Sequence, residues 1–409
     1  MSSILINAYA CSPGMGSEPG MAWNWCINLA KYGELYIITE GEFRDKIESA
    51  LPGLLQGKNM HFYYNPVPDK VRKMCWNQGD WRFYRYYRKW QWKTYLIAKE
   101  ICEHSHIDII HQLNMIGFRE PGYLWKIENI PFVWGPVDAK DTFPTAFLEG
   151  AGFKTKVFIR LKNFLTKLQL KYSTRVKEAV KRASLVISAS SNSKISFKKY
   201  FGIDTPLLNE TGCYESDVAI ESDTEKTCLD ILWVGKLDFR KQLGLALRSI
   251  AATKNKSVFL HIVGGGDQGR YKLLASSLDI EAQCKWYGNV SHDEVQRIMQ
   301  CCDLLLFTSV AEGTPHVVLE SFRNMLPVLC FDTCGQGDCV NDSAGIKIAL
   351  SDPKSAEIEF AQKINYLYAH RDILHRLSIG CKQRQRELSW DSKARQMVEL
   401  YKESLTDNS

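Results

Sequence analysis

Short apolar runs recur along the 409-residue chain, separated by helical sequence, and the order starts twice. In the first half Ile4–Ala8, Leu35–Thr39, His61–Tyr64, Asp108–His111, Pro131–Trp134 and Leu185–Ala189 read as strands. Helices are read at Met21–Lys31, at 94–105 and over a long basic stretch at 154–182. After about residue 225 the order resumes. Leu229–Val234, Val258–Val263, Cys284–Tyr287, Asp303–Thr308 and Pro327–Phe331 read as strands, and Gln242–Thr253, His292–Cys301 and Pro315–Asn324 as helices. Strands this apolar are stable only when both faces are covered, which crossover helices on a parallel sheet provide. The expected fold is therefore α/β, two Rossmann-like doubly wound lobes facing a cleft. Expected bounds are 1–210 and 225–385, joined through the acidic ESDVAIESDTEK stretch. A last segment, 386–409, reads as a helix packing back on the first lobe.

Composition narrows the function classes. With 45% hydrophobic and 24% charged residues the chain can bury a sizeable core, which excludes a disordered or collagen-like protein. No apolar run reaches the ~18 residues needed to span a bilayer. The N-terminal MSSILINAYACSPGMG has neither a basic leader nor an apolar core of secretory length, so a cytoplasmic location is expected. Thirteen cysteines without a C-x-x-C pair read as reduced thiols. Cys330, Cys334 and Cys339 form the only cluster to test as metal ligands, but they lack a partner cluster, and no metal site is expected.

Two stretches carry the chemistry. Ser309-Val-Ala-Glu-Gly-Thr-Pro-His-Val-Val-Leu-Glu-Ser-Phe322 follows the strand DLLLFT and opens a helix. Pro315 suits a first helical turn, and Thr314 suits the cap before it. Backbone N–H groups between Gly313 and His316 would then face an anion or a sugar's oxygens. Glu312 in the loop and Glu320 about one and a half turns into the helix can accept paired hydrogen bonds from vicinal hydroxyls. The second stretch is Trp233-Val-Gly-Lys-Leu-Asp-Phe-Arg-Lys-Gln242. Here a strand delivers Gly235 and Lys236, and Arg240 and Lys241 precede the next helix. Cations at a strand's carboxyl end before a helix make a phosphate site, able to neutralise a diphosphate without a divalent metal.

Together these stretches resemble the retaining nucleotide-sugar glycosyltransferases of family 4, which have the GT-B fold. The resemblance implies that Glu312 contacts the transferred sugar, that Glu320 binds the ribose, and that Lys236 and Lys241 hold the diphosphate. Two positions depart from the family. Lys236 stands where arginine is usual, which loses the bidentate fork, and Gln242 stands where glycine is usual. The loop Ser12–Gly20 looks like the family's N-terminal loop, with Gly14 and Gly16 admitting close approach of a donor phosphate or acceptor hydroxyl. The Gly264–Gly266 run resembles its short loop near the nucleotide, with Gly265 at the centre. His111 ends a strand where the family commonly has a histidine near the reacting sugar. Arg119, Glu120 and the Trp134–Pro136 turn are expected along the cleft.

Charge adds a partner. Residues 70–93 carry eight Lys or Arg against one acid, and residues 154–182 ten against one. The latter also places Val157, Leu161, Phe164, Leu165, Leu168 and Tyr172 at helical spacing. Two readings stay open for that helix: peripheral contact with an anionic membrane, or packing on its own lobe with a solvated charged face. The nine aromatics of Trp76–Tyr95 could stack sugars or bases, but no nucleic-acid module is recognisable, and no nucleic-acid partner is expected. The reading is a retaining hexosyltransferase moving a sugar from a nucleoside-diphosphate donor to a saccharide hydroxyl, with no cofactor. A polyprenyl-diphosphate-linked acceptor in bacterial surface-polysaccharide or O-antigen assembly is expected. The alternatives are a non-catalytic sugar- or nucleic-acid-binding protein, or a nucleotide-sugar epimerase.

Overall fold

A computed structural model describes residues 2–77, 80–139, 142–216 and 226–406. Positions 217–225 of the expected join lie outside the described residues.

In chain order the first half forms β1 (Ser2–Ala8), α1 (Ser17–Leu29), β2 (Gly33–Thr39), α2 (Arg44–Ala50), β3 (Met60–Tyr64), α3 (Asp69–Trp76) and α4 (Phe83–His104). It continues with β4 (Ile109–Asn114), β5 (Phe132–Val137), α5 (Phe153–Tyr172), α6 (Thr174–Arg182), β6 (Leu185–Ser188) and α7 (Ser191–Phe201). The second half forms β7 (Leu229–Val234), α8 (Leu243–Thr253), β8 (Val258–Val263), α9 (Gly269–Ser277), β9 (Cys284–Gly288), α10 (His292–Cys301) and β10 (Leu304–Phe307). Then come α11 (His316–Arg323), β11 (Val328–Phe331), α12 (Cys334–Cys339), β12 (Gly345–Ile348), α13 (Pro353–Ala369), α14 (Arg371–Glu387) and α15 (Trp390–Thr406).

The strands make two six-stranded sheets, ordered β3-β2-β1-β4-β5-β6 and β12-β11-β10-β7-β8-β9. Every pairing is parallel. Alternation along each strand feeds two cores. In the first sheet Ile4, Ile6 and Ala8 pack with Trp25 of α1 and Met397 of α15. Leu5 and Ile110 point the other way, onto Ala98 of α4 and Val176 of α6. In the second sheet Ile231 and Trp233 face α8 and Phe360 of α13, whereas Leu232 packs with Phe322 of α11. Members of these clusters are almost all under a tenth exposed, and truncating one to alanine typically costs ~2–5 kcal/mol.

The chain divides into two compact units, Met1–Asp141 with Lys167–Thr211 and Trp390–Ser409, and Thr142–Thr166 with Gly212–Ser389. The bounds differ from a single cut near 210. Thr142–Thr166 groups with the second unit because Phe147 is wholly buried in its core, Glu149 pairs with Arg248 at 2.9 Å, and Gly150's carbonyl accepts from Arg270 at 3.0 Å. In the first unit Trp390 meets Trp25 edge to face at 5.7 Å.

Local readings are corrected at three places. The helix read at 94–105 starts at Phe83 and runs for 22 residues. The long basic helix is two helices, broken at Ser173, whose hydroxyl accepts from the Val176 N–H at 3.5 Å as an N-cap. α11 begins at His316 with Pro315 at its cap, φ −76° and ψ 113°, so Thr314 lies one residue outside and no side chain caps the helix.

Candidate functional site

In the second sheet the chain runs β7-β8-β9 to one side and returns to β10-β11-β12 on the other, so the order reverses between β7 and β10. Loops leaving the carboxyl ends of two such strands diverge and leave a crevice, the usual ligand site of an open α/β sheet. Both chemistry-bearing stretches are those loops. Thr308 Oγ1 donates to the Lys241 carbonyl at 2.8 Å, and the Val310 N–H and Ser309 hydroxyl donate to the Arg240 carbonyl at 3.2 and 3.3 Å. Held this way, Lys241 Nζ lies 2.6 Å from Glu312 Oε1, with the two side chains 21% and 19% exposed. The Ser309 hydroxyl donates to the same carboxylate oxygen. The ammonium also sits 5.5 Å from the Phe307 ring centre, a cation–π contact.

Around this pair the predicted residues take different parts. Gly235 lies against Lys241, where an added Cβ would come within 3.3 Å of Lys241 Cγ. Lys236 is exposed and makes no ion pair among the described residues. Arg240 is tied to Asp238 at 2.7 Å. Burial works against the Asp238 carboxylate, but this arginine and two backbone N–H groups still hold it below the usual range. The Gln242 backbone is left-handed, φ 56° and ψ 40°, a conformation costing a side-chain-bearing residue ~1–2 kcal/mol. Its buried amide offsets that by donating to the carbonyls of Phe147 and Phe239, at 2.8 and 2.5 Å.

In the triple glycine the geometric demand falls beside the residue singled out. Gly265 has ordinary room, with Asn289 Cβ 3.6 Å from an added Cβ. Gly264 has φ +147°, and a Cβ there would lie 1.8 Å from the Gly235 carbonyl oxygen. The loops after β7 and β8 thus touch backbone to backbone. The start of α12, just after β11, joins likewise, since a Cβ on Gly335 would lie 2.2 Å from the Gly313 carbonyl oxygen. Gly335 was missed, and Gly265 was singled out from the run in place of Gly264, because only such close approach marks them out.

On α11, His316 is exposed and Thr314 and Pro315 are buried. Glu320 Oε1 lies 3.4 Å from His292 Nε2, at the start of α10. The structure therefore brings Lys241, Glu312, Gly235 and the Arg240 backbone into direct contact. Lys236 and Glu320 are placed on elements of the same sheet edge without touching that pair.

The first unit corrects one catalytic nomination. His111 is fully buried. Its Nε2 lies 2.5 Å from the Gly135 carbonyl, which can only accept, so Nε2 carries the proton and Nδ1 accepts from Tyr401, 2.6 Å away. Burial pushes its pKa down to about 4. With both nitrogens engaged, this neutral ring pins α15 to β4 and offers no site to a substrate.

Gly14 (φ +67°) and Gly16 have open space where a Cβ would stand. In the first turn of α1, just after them, sits Glu18, unnoticed in the sequence. Its carboxylate accepts from the Ile116 N–H at 3.3 Å, yet burial, reinforced by Glu210, raises its pKa to about 7. These residues border the order reversal of the first sheet, between β1 and β4. Among the described residues no group of three His, Cys, Asp or Glu side chains could hold a metal ion. Cys330, Cys334 and Cys339 are buried, reduced cysteines.

Comparison with known proteins gives this geometry a context. Residues 219–384, the stretch holding both loops, match the family described as glycosyl transferases group 1. The putative glycosyltransferase EpsD of Bacillus subtilis (strain 168) is 24% identical over 151 residues, 36% of this chain and 38% of its own length. The match thus spans well under half of that relative. The crystal structure of WaaG, a glycosyltransferase involved in lipopolysaccharide biosynthesis, covers 97% of this chain and 99% of its own at 16% identity, with a TM-score of 0.57. Anabaena Alr3699/HepE in complex with UDP and glucose covers 98% and 100% at 14% identity, also with a TM-score of 0.57. Such likeness speaks for the architecture. The chain carries a group 1 glycosyl transferase domain and has the GT-B fold.

Proposed function

We propose that this protein is a retaining glycosyltransferase of family 4 type, moving a hexose from a nucleoside-diphosphate donor to a hydroxyl of a lipid-linked saccharide. The observation that carries the proposal is the Lys241–Glu312 pair, 2.6 Å apart at the order reversal of a parallel sheet. A cation and an acid held there by backbone hydrogen bonds can grip a diphosphate and orient the sugar beside it. HepE, which shares the fold, has been crystallised with UDP and with UDP-glucose.

In this reading Lys236 and Lys241 meet the negative charge that grows on the departing diphosphate, the electrostatic contribution that dominates many transfers. No metal is required for that task. Glu312 exchanges its ion pair for sugar hydroxyls, and Glu320 accepts from the ribose. The N–H groups of Gly313 and His316 complete the cradle. The acceptor hydroxyl attacks from the face the diphosphate leaves, and that phosphate takes its proton, which retains the configuration. His111 has no part in the chemistry.

The setting proposed is assembly of a bacterial surface polysaccharide, with the protein peripheral on the inner membrane face. Among the described residues no helix is long and apolar enough to cross a membrane. α5 supports peripheral attachment. Phe153, Phe158, Leu161 and Phe164 are 81%, 61%, 53% and 58% exposed, while Ile159, Thr166 and Leu170 face inward. The apolar face thus points to solvent. It is flanked by six Lys or Arg, with no acid in the helix, as suits an anionic lipid surface.

The test is turnover of a panel of UDP-, GDP- and ADP-sugars with membrane extracts as acceptor, the product's anomeric configuration being read by NMR. Transfer with retention that Glu312→Ala abolishes is the expected result. Binding without transfer would favour a non-catalytic sugar-binding protein, and inversion would remove the mechanism.

A further inference from the structure

Two arginines of the first unit converge on one acid, and a third is that acid's chain neighbour. Glu120, 5% exposed, holds Arg88 Nε at 2.7 Å through one oxygen and Arg175 Nη1 at 2.7 Å through the other. Arg119, its chain neighbour, donates to the Gln169 amide oxygen of α5 at 2.6 Å. The cluster carries two net positive charges. It follows β4 directly, at the order reversal of the first sheet.

A staple between α4 and α6 would need fewer donors. Arg88 uses Nε alone, and its side chain is 55% exposed. Among the described residues Arg175 Nε and Nη2 are buried without a hydrogen-bond partner, and its guanidinium lies over the Tyr123 ring, 4.9 Å from the centre. Buried guanidinium donors without acceptors are rare and ask for an explanation, of which an oxyanion is the simplest. Gln169 places this cluster beside Leu168 and Tyr172 of α5, which are 37% and 60% exposed. Trp92 of α4, 45% exposed, meets Tyr123 edge to face at 5.3 Å. Cations with aromatic and aliphatic neighbours match the headgroup level of a bilayer.

We propose that Arg88, Arg119 and Arg175, oriented by Glu120, form the subsite for the phosphate or diphosphate of a lipid-linked acceptor. This rests on the reading of the protein as a transferase to such an acceptor. The Glu120 carboxylate sets the two guanidinium planes, and the α5 residues receive the first isoprene units. No bond forms or breaks here. The cluster fixes the lipid's anionic end so that its saccharide extends along the carboxyl edge of the sheet.

The probe is farnesyl diphosphate, titrated calorimetrically beside inorganic pyrophosphate and farnesol. Farnesyl diphosphate should bind more tightly than either fragment. Arg88→Gln and Arg119→Gln should each weaken it about tenfold, the loss of one charge-assisted contact. Glu120→Gln should tighten it, a gain that a structural staple cannot produce. Lys241→Gln, in the donor loop, should leave it unchanged. Should Glu120→Gln fail to fold, the exposed Arg88 decides: Arg88→Lys keeps the charge without the fork and should fall between wild type and Arg88→Gln. Unchanged affinity in the arginine variants, or loss in Lys241→Gln alone, overturns the subsite. Equal binding of free pyrophosphate overturns its lipid identity. Sugar-nucleotide turnover in the same variants separates this failure from that of the transferase reading, because turnover without farnesyl diphosphate binding removes only the subsite.

Discussion

Replacing Glu312 by glutamine separates its two parts. Without donor its carboxylate neutralises Lys241 across 2.6 Å, both side chains being about one-fifth exposed. A partly exposed pair of this kind contributes up to about 1 kcal/mol. Diphosphate binding must break that pair, so removing the charge should make a nucleoside diphosphate bind about fivefold more tightly. Glutamine can still accept from the Ser309 hydroxyl, which keeps the loop in place. The same substitution removes the anion that orients the sugar, and turnover should fall by about 10²–10³, as when one preorganised group is lost from a transfer site. Calorimetry with UDP, GDP and ADP gives the first quantity, and a coupled assay of released nucleoside diphosphate the second. Opposite signs are the signature. Weaker diphosphate binding, or full turnover, in Glu312→Gln would refute the assignment of Glu312 and Lys241 to one ligand.

Glu320→Ala should raise KM for the nucleotide sugar about tenfold, the loss of a charge-assisted hydrogen bond, with a smaller effect on kcat in steady-state kinetics. His111 gives a pH signature. The unfolded chain binds its proton below about 6.5, the folded chain only near 4, so its stability contribution is complete above 6.5 and is lost as pH falls toward 4. At pH 5 the loss should be about 2 kcal/mol, and His111→Asn should flatten that limb in urea melts. Glu18 acts oppositely, its raised pKa favouring the fold at acid pH and less so as pH rises toward 7, and comparing the two chains cancels it. Leu161→Ser with Leu168→Ser should leave the melting point within about 2 °C, since both are exposed, while co-sedimentation with phosphatidylglycerol vesicles is lost. Retained co-sedimentation would remove α5 from the membrane.

Where residues carry their own signal, the sequence was enough. β7, β8 and α10 were read to the residue because apolar runs end at Gly235 and Gly264, and Ser291 caps α10. β12 was missed because its four residues are interrupted by Lys347, whose ammonium reaches the Gly337 carbonyl and Asp332. α13 and α14 were passed over despite the Asp352 cap, their apolar residues being diluted by charge. At the site, Lys241 and Glu312 were legible from their loops, but their pairing needed the Thr308 and Val310 hydrogen bonds. His111 was misjudged because its partner Tyr401 lies 290 positions away. The Arg88–Glu120–Arg175 cluster was hidden likewise, joining residues 32 and 55 positions apart.

The central claim is that the loops after β7 and β10 grip the diphosphate of an activated sugar. Calorimetric titration of UDP, GDP and ADP into wild type and Lys236→Gln with Lys241→Gln tests it most directly. At least one nucleotide should bind wild type, and the double variant should lose about a hundredfold, two charge-assisted contacts. No binding at all, or equal affinity in both chains, would contradict the account.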